Sequence, residues 1–180
     1  MSAAKDDIFG LLAEFDTPAE LYHACEKVRD AGYTSWDAHT PFPVHGLDGA
    51  MGLKPTKLPW IVFCMGFTGA SLGMTLQWWV STQAYPLTIA GKPFFSWQAF
   101  IPVTFELMVL FSALGAVFGM LGLNRLPQLY HSLFRSKRFE RASDDKFFIS
   151  IEAVDPNFDR EKSAALLKAA GAKHVELVEQ

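Results

Sequence analysis

Trp60–Val80, WIVFCMGFTGASLGMTLQWWV, runs 21 residues without a charged side chain. About 20 apolar residues rising 1.5 Å each cross a hydrocarbon core roughly 30 Å thick. The stretch therefore predicts a transmembrane helix over 60–80. Ala99–Leu123, AFIPVTFELMVLFSALGAVFGMLGL, carries one charge, Glu106, and predicts a second span over 99–123. Its Pro102 is placed in the first turn, where a missing N–H is harmless.

Charge flanking the spans orients them. Lys54 and Lys57 precede the first; Arg125, Arg135, Lys137, Arg138 and Arg141 follow the second; the connecting loop holds only Lys92. Positive charge collects on the cytoplasmic side, so both termini are expected there. Trp78, Trp79, Tyr85 and Trp97 would form the outer aromatic belt, with Trp60 and Tyr130 near the inner surface. The start, MSAAKDDIFGLL, lacks the basic and apolar regions of a cleavable signal peptide, in keeping with a cytoplasmic N-terminus.

Small residues recur within both spans. Gly66, Gly69 and Gly73 share one face of the first; Ser112, Gly115, Gly119 and Gly122 share one face of the second. Each set contains a G-x-x-x-G, which permits close backbone approach in lipid and predicts that these faces pack together. Stepping about 100° per residue, Glu106 lies about 160° to 240° around the helix from the small residues. It would face away from the hairpin contact and from Gln77. A charged carboxylate in lipid costs on the order of 2.5 to 3.5 kcal/mol. Glu106 is thus expected to be protonated or to meet a polar group of a neighbouring subunit, either as a structural hydrogen bond or as part of a proton path.

Outside the spans the chain reads as alternating strand and helix. Ile8–Phe15, Thr34–Thr40, Phe147–Val154 and Lys173–Val178 are strand-like, while Pro18–Ala31 and Asp159–Ala170 are helical. The two ends repeat one order. A shift of 139 residues places Phe9 on Phe148, Asp16 on Asp155, Val28 on Leu167, Arg29 on Lys168 and Gly32 on Gly171 without a gap. Gly32 and Gly171 stand where a helix stops; Asp16 and Asp155 suit a cap or turn. A βαβ unit this small cannot cover its own strands. The halves are therefore expected to pair into one ferredoxin-like, split βαβ sheet. The fold class is α+β: residues 1–53 form the first half of a cytoplasmic domain and its connector, 54–124 the hairpin, and 125–180 the second half. The connector Pro41–Pro59 is expected to lie on the membrane surface or a partner. The long, aromatic outer loop, Ser81–Gln98, should pack against something.

Several chemistries have no foothold. From Met1 to Leu53 there are three Lys/Arg against nine Asp/Glu, and from Asn124 to Gln180 ten against nine, so neither end is a nucleic-acid surface. Cys25 and Cys64 lack any ligand spacing and read as small buried thiols. His39 and His45, near Asp37 and Asp48, fit no metal-ligand set and suit loop hydrogen bonds; His23, His131 and His174 read as solvated. No phosphate-loop or nucleophile-elbow motif occurs. No catalytic, cofactor-binding or metal-binding residue is expected in this chain.

Longer strings carry a family resemblance: PFPVHGLDGAMG (41–52), YPLTIAGKPFFSWQAFIPVTFEL (85–107), LPQLYHSLF (126–134) and DDKFFISIEAVDPNFD (144–159). In these the chain resembles the ActD family, a subunit of bacterial alternative complex III, a quinol:cytochrome c or quinol:acceptor oxidoreductase. The resemblance covers nearly the whole chain. It implies partners among quinol-oxidising membrane subunits, an iron–sulfur subunit and haem c subunits, with those cofactors in the partners and membrane lipids around the spans. It also implies an accessory structural or assembly role without enzyme activity. A membrane-tethered sensor of a small ligand, or a subunit contributing a proton-path carboxylate, are the competing readings.

Overall fold

A computed structural model describes residues 8–180. They divide into two compact units, one comprising the chain up to Lys54 together with Leu129–Gln180, the other Pro55–Gln128.

In the first unit, β1 (Ile8–Phe15), β2 (Trp36–His39), β3 (Phe147–Glu152) and β4 (His174–Glu179) form one sheet in the order β2-β3-β1-β4. Every neighbouring pair is antiparallel, with Phe15 opposite Phe147, Glu14 opposite His174 and Trp36 opposite Ile151. Neither half makes this sheet alone, because β2 pairs only with β3 and β4 only with β1. The helices α1 (Pro18–Asp30) and α5 (Arg160–Ala169) cover one face. Leu11, Phe15, Ile149 and Ile151 meet Leu21 and Val28 of α1 and Leu167 of α5 there, every one of them buried.

The helix ends follow local chemistry. Thr17 caps α1 by accepting from the Glu20 amide, and Asp159 caps α5 by accepting from the Glu161 and Lys162 amides. The caps therefore fall after the aspartates that end the strands, and Asp16 and Asp155 are turn residues instead. Both helices stop at an alanine followed by a glycine of positive φ, +82° at Gly32 and +109° at Gly171.

The gapless repeat fails in one place. Phe9 and Phe148 both belong to the face away from the helices, whereas Leu11 faces the helices and its counterpart Ser150 does not. The pairing of β1 with β4 shifts between Ile8 and Gly10, and such an irregularity moves side chains to the opposite face. A methyl group on Gly10 would collide with the Ile151 carbonyl, so only glycine fits.

The second face is covered by residues 131–143, two short 3-10 turns whose Leu133, Phe139 and Ala142 pack on Leu12, Phe148 and Val178. Arg138 Nη1 donates to the buried Glu14 at 2.9 Å, and Ser136 Oγ donates to Glu176. The connector also contributes to the first unit. Its short helix α2 (Leu47–Met51) lies on the protein's own core: Ala50 is 1% exposed, and Val44, Leu47 and Met51 pack beside it. Arg29 Nη1 donates to the Gly49 and Ala50 carbonyls at 3.1 Å each.

The second unit is a helical hairpin of α3 (Leu58–Trp79), extended by a π-helical turn at Val80–Ala84, and α4 (Trp97–Leu123). Because α4 begins at Trp97, Pro102 is its sixth residue and lies past the first turn. Its missing N–H removes a donor from the Gln98 carbonyl. In the connecting loop the Phe95 ring stacks edge-on against Phe100, with ring centroids 5.9 Å apart.

Candidate functional site

Lipid offers no hydrophobic drive to hold two helices together, so the hairpin depends on close packing and polar bonds. Glycines of α3 lie directly against α4. A methyl on Gly66 would overlap Ser112 Oγ; on Gly69 it would sit 2.9 Å from Phe111 Cβ; on Gly73, 2.9 Å from Thr104 Cα. From the other side, a methyl on Gly115 would meet Met65 Cβ at 2.8 Å and one on Gly119 would meet Leu58 Cδ1 at 2.9 Å. Gly122 departs from this pattern, with nothing among the described residues within 4 Å of such a methyl. The reason is length: α3 starts at Leu58, already opposite Gly119, and leaves the next turn of α4 uncovered.

Gln77 adds a polar clasp near the loop end. Its Nε2 is shared among the Gly73 carbonyl at 3.0 Å, the Phe100 carbonyl at 3.0 Å and Thr104 Oγ1 at 3.3 Å. Gln77 thus lies in the helix contact.

Glu106 lies on the outside of α4, exposed within the chain and flanked at the helical spacing by Pro102, Val103, Val109 and Leu110, all exposed. Among the described residues it makes no hydrogen bond or ion pair. The hairpin's outer surface is largely apolar, with Trp60 72% exposed, Phe67 68% and Phe118 66%, and Thr68, Ser71 and Thr75 as small polar exceptions. Cys64 belongs to this outer surface, contrary to its reading as a buried thiol, because only one side of α3 meets α4; Cys25 is buried.

In the first unit His39 and His131 differ from their sequence reading, while His23 is exposed as expected. His39 is a strand residue, its Nε2 3.1 Å from Ser150 Oγ and its ring edge-on to Phe139. Burial lowers its pKa below the ordinary imidazole value; Asp37 opposes this and His131 adds to it. His131 is half-buried, its ring against Phe9 and its Nδ1 accepting from the Leu133 amide, which replaces the solvated role expected of it. These residues form the polar part of the sheet's second face. Sequence reasoning passed over that face because residues 131–143 have no helical or strand period.

The description "Alternative complex III, ActD subunit" matches residues 9–177. The chain belongs to the ActD family. It is therefore a subunit of alternative complex III, within a respiratory, electron-transporting assembly. With two apolar helices of 27 residues each, long enough to cross a bilayer, this ActD-family chain is a membrane protein. A comparison with curated proteins returned no match.

Proposed function

We propose that this chain is a non-catalytic structural and assembly subunit of alternative complex III, docked through the outer face of α4. The observation that carries the proposal is Glu106, a carboxylate at membrane depth with no partner among the described residues. An intramembrane carboxylate is costly unless it meets a polar group or a proton, and a neighbouring subunit is the source of such a group in a complex. A structural hydrogen bond to that subunit is the role assigned to Glu106, and a proton path is the competing one. The small-residue seam of Gly66, Gly69, Gly73, Ser112, Gly115 and Gly119 acts to hold the hairpin closed so that this outer face is presented as one surface.

The first unit is read as a ferredoxin-like, split βαβ domain, supported by its antiparallel order β2-β3-β1-β4 and by two helices on one face. Seven Lys/Arg flanking the spans against one in the loop support cytoplasmic termini in a bacterial inner membrane. Haem c and iron–sulfur clusters belong to partner subunits in this reading. Cys25 and Cys64 have no ligand spacing in the sequence that would support such a cluster or haem here.

The test is a mass-spectrometric subunit inventory of the mildly solubilised complex from wild type and from Glu106→Leu and Glu106→Gln variants. Loss of this chain from the complex in Glu106→Leu, with retention in Glu106→Gln, is expected. Normal assembly in Glu106→Leu would refute the docking role. Normal assembly with impaired proton coupling in Glu106→Gln would favour the proton path.

A further inference from the structure

The internal repeat exposes a difference between the two halves of the first unit. Beside α1 lies α2, which seats Ala50 in the core and takes two hydrogen bonds from Arg29, onto its Gly49 and Ala50 carbonyls. The 139-residue shift carries Arg29 to Lys168, Cys25 to Ala164, Trp36 to Val175 and Ala38 to Leu177. These counterparts beside α5 line an open groove of about 420 Å³, with Leu11 in its floor and Arg160 at its rim. Cys25 is 0% exposed, whereas its counterpart Ala164 is only half-buried and lines the groove.

We infer that this α5–β4 groove docks a short apolar helical turn of another alternative complex III subunit, in the manner that α2 docks beside α1. The inference rests on the subunit role proposed above. Two properties of the groove select such an occupant. Its walls are apolar, from Ala164, Val175 and Leu177, and match apolar side chains like Leu47, Ala50 and Met51 of α2. Its rim is mainly cationic, Arg160 and Lys168 against the single Glu161, and Lys168 pairs with no group among the described residues. The carboxyl end of a helical turn carries partial negative charge on its last carbonyls, which is what Arg29 engages at Ala50 and, beside the Gly52 amide, at Gly49. Lys168 stands where Arg29 stands and would engage the partner's carbonyls in the same way.

The experiment places a photoreactive benzoylphenylalanine at Ala165, an exposed residue of the groove, in the full chain within the purified complex. Illumination is followed by mapping of cross-linked peptides, with the same residue at the exposed His23 as control. The expected result is a cross-link from position 165 to one short apolar segment of another subunit, absent from position 23 and reduced several-fold by Lys168→Glu. If the inventory shows the chain among haem-containing subunits yet position 165 gives no cross-link, the docking inference fails while the subunit role stands. Cross-linking only to lipid, or to a second copy of this chain, would equally overturn the inference. Isolation of the chain without other subunits would overturn both.

Discussion

Asp155 Oδ2 accepts from the Thr34 and Ser35 amides at 2.6 Å each and from Thr34 Oγ1 at 3.1 Å, while Oδ1 accepts from the Asn157 amide at 2.8 Å. One carboxylate thus ties the loop before β2 to the loop after β3. Burial pushes its pKa up, but the Ser35, Thr34 and Asn157 amides outweigh burial and hold it below the ordinary carboxylate value of 3.8. A depressed folded pKa means stability that is present above the unfolded value and lost as pH falls through the folded one. Asp155→Ala is expected to destabilise the unit by about 3 kcal/mol, since it strands buried amides. The gap between wild type and variant should narrow below about pH 4. Thermal unfolding of the purified chain, followed by protease susceptibility across pH, measures both; a constant gap down to pH 2 would count against the carboxylate's role. At Cys25, burial pushes the thiol up to about 12, with Asp37 adding to it. In a Cys64→Ala background, Cys25 should resist maleimide at pH 8 until the protein is denatured.

At the scale of the element, the hairpin makes a graded prediction. Overpacking a tight helix contact costs about 1–3 kcal/mol. Gly69→Leu and Gly73→Leu, whose added atoms meet α4 backbone, should open the hairpin. Gly122→Leu should leave it intact, since that face is open. Disulfide formation between cysteines introduced at facing positions of α3 and α4 reports the separation; equal loss in all three variants would contradict the geometry. Gln77→Leu removes the clasp onto Phe100 and Thr104 and should weaken closure by about 0.6 kcal/mol, the usual size of an interhelical hydrogen bond in lipid. A loss as large as that of Gly69→Leu would show that the clasp, not the glycine seam, dominates.

For the whole molecule, the orientation carries the prediction. A cysteine at Ser96, in the loop between the spans, should react with an impermeant reagent in intact cells, and reaction only after permeabilisation would reverse the topology. The sheet's strand order adds a second consequence. Each edge strand depends on a strand from the other end of the chain, so residues up to Lys54 expressed apart from Leu129–Gln180 should not hold β2 in place. Hydrogen exchange of the Trp36–His39 amides would show this as loss of protection.

Much of this architecture was legible in the sequence because it is written in local patterns. Uncharged runs of membrane length mark both helices, period-two and period-3.6 apolar spacing mark β1, α1 and α5, and the glycines past the helix ends mark where α1 and α5 stop. What required tertiary structure was whatever depends on a distant segment. The bulge at Gly10 that swaps faces, the seating of α2 on α1, the cover of the second sheet face by residues 131–143, and the bare face at Gly122 are of this kind. Each is decided by which remote backbone occupies a space, and no spacing along the chain encodes that. Glu106 joins the two cases: the helical period alone turned it away from the glycine seam, and the folded hairpin left it without a partner among the described residues.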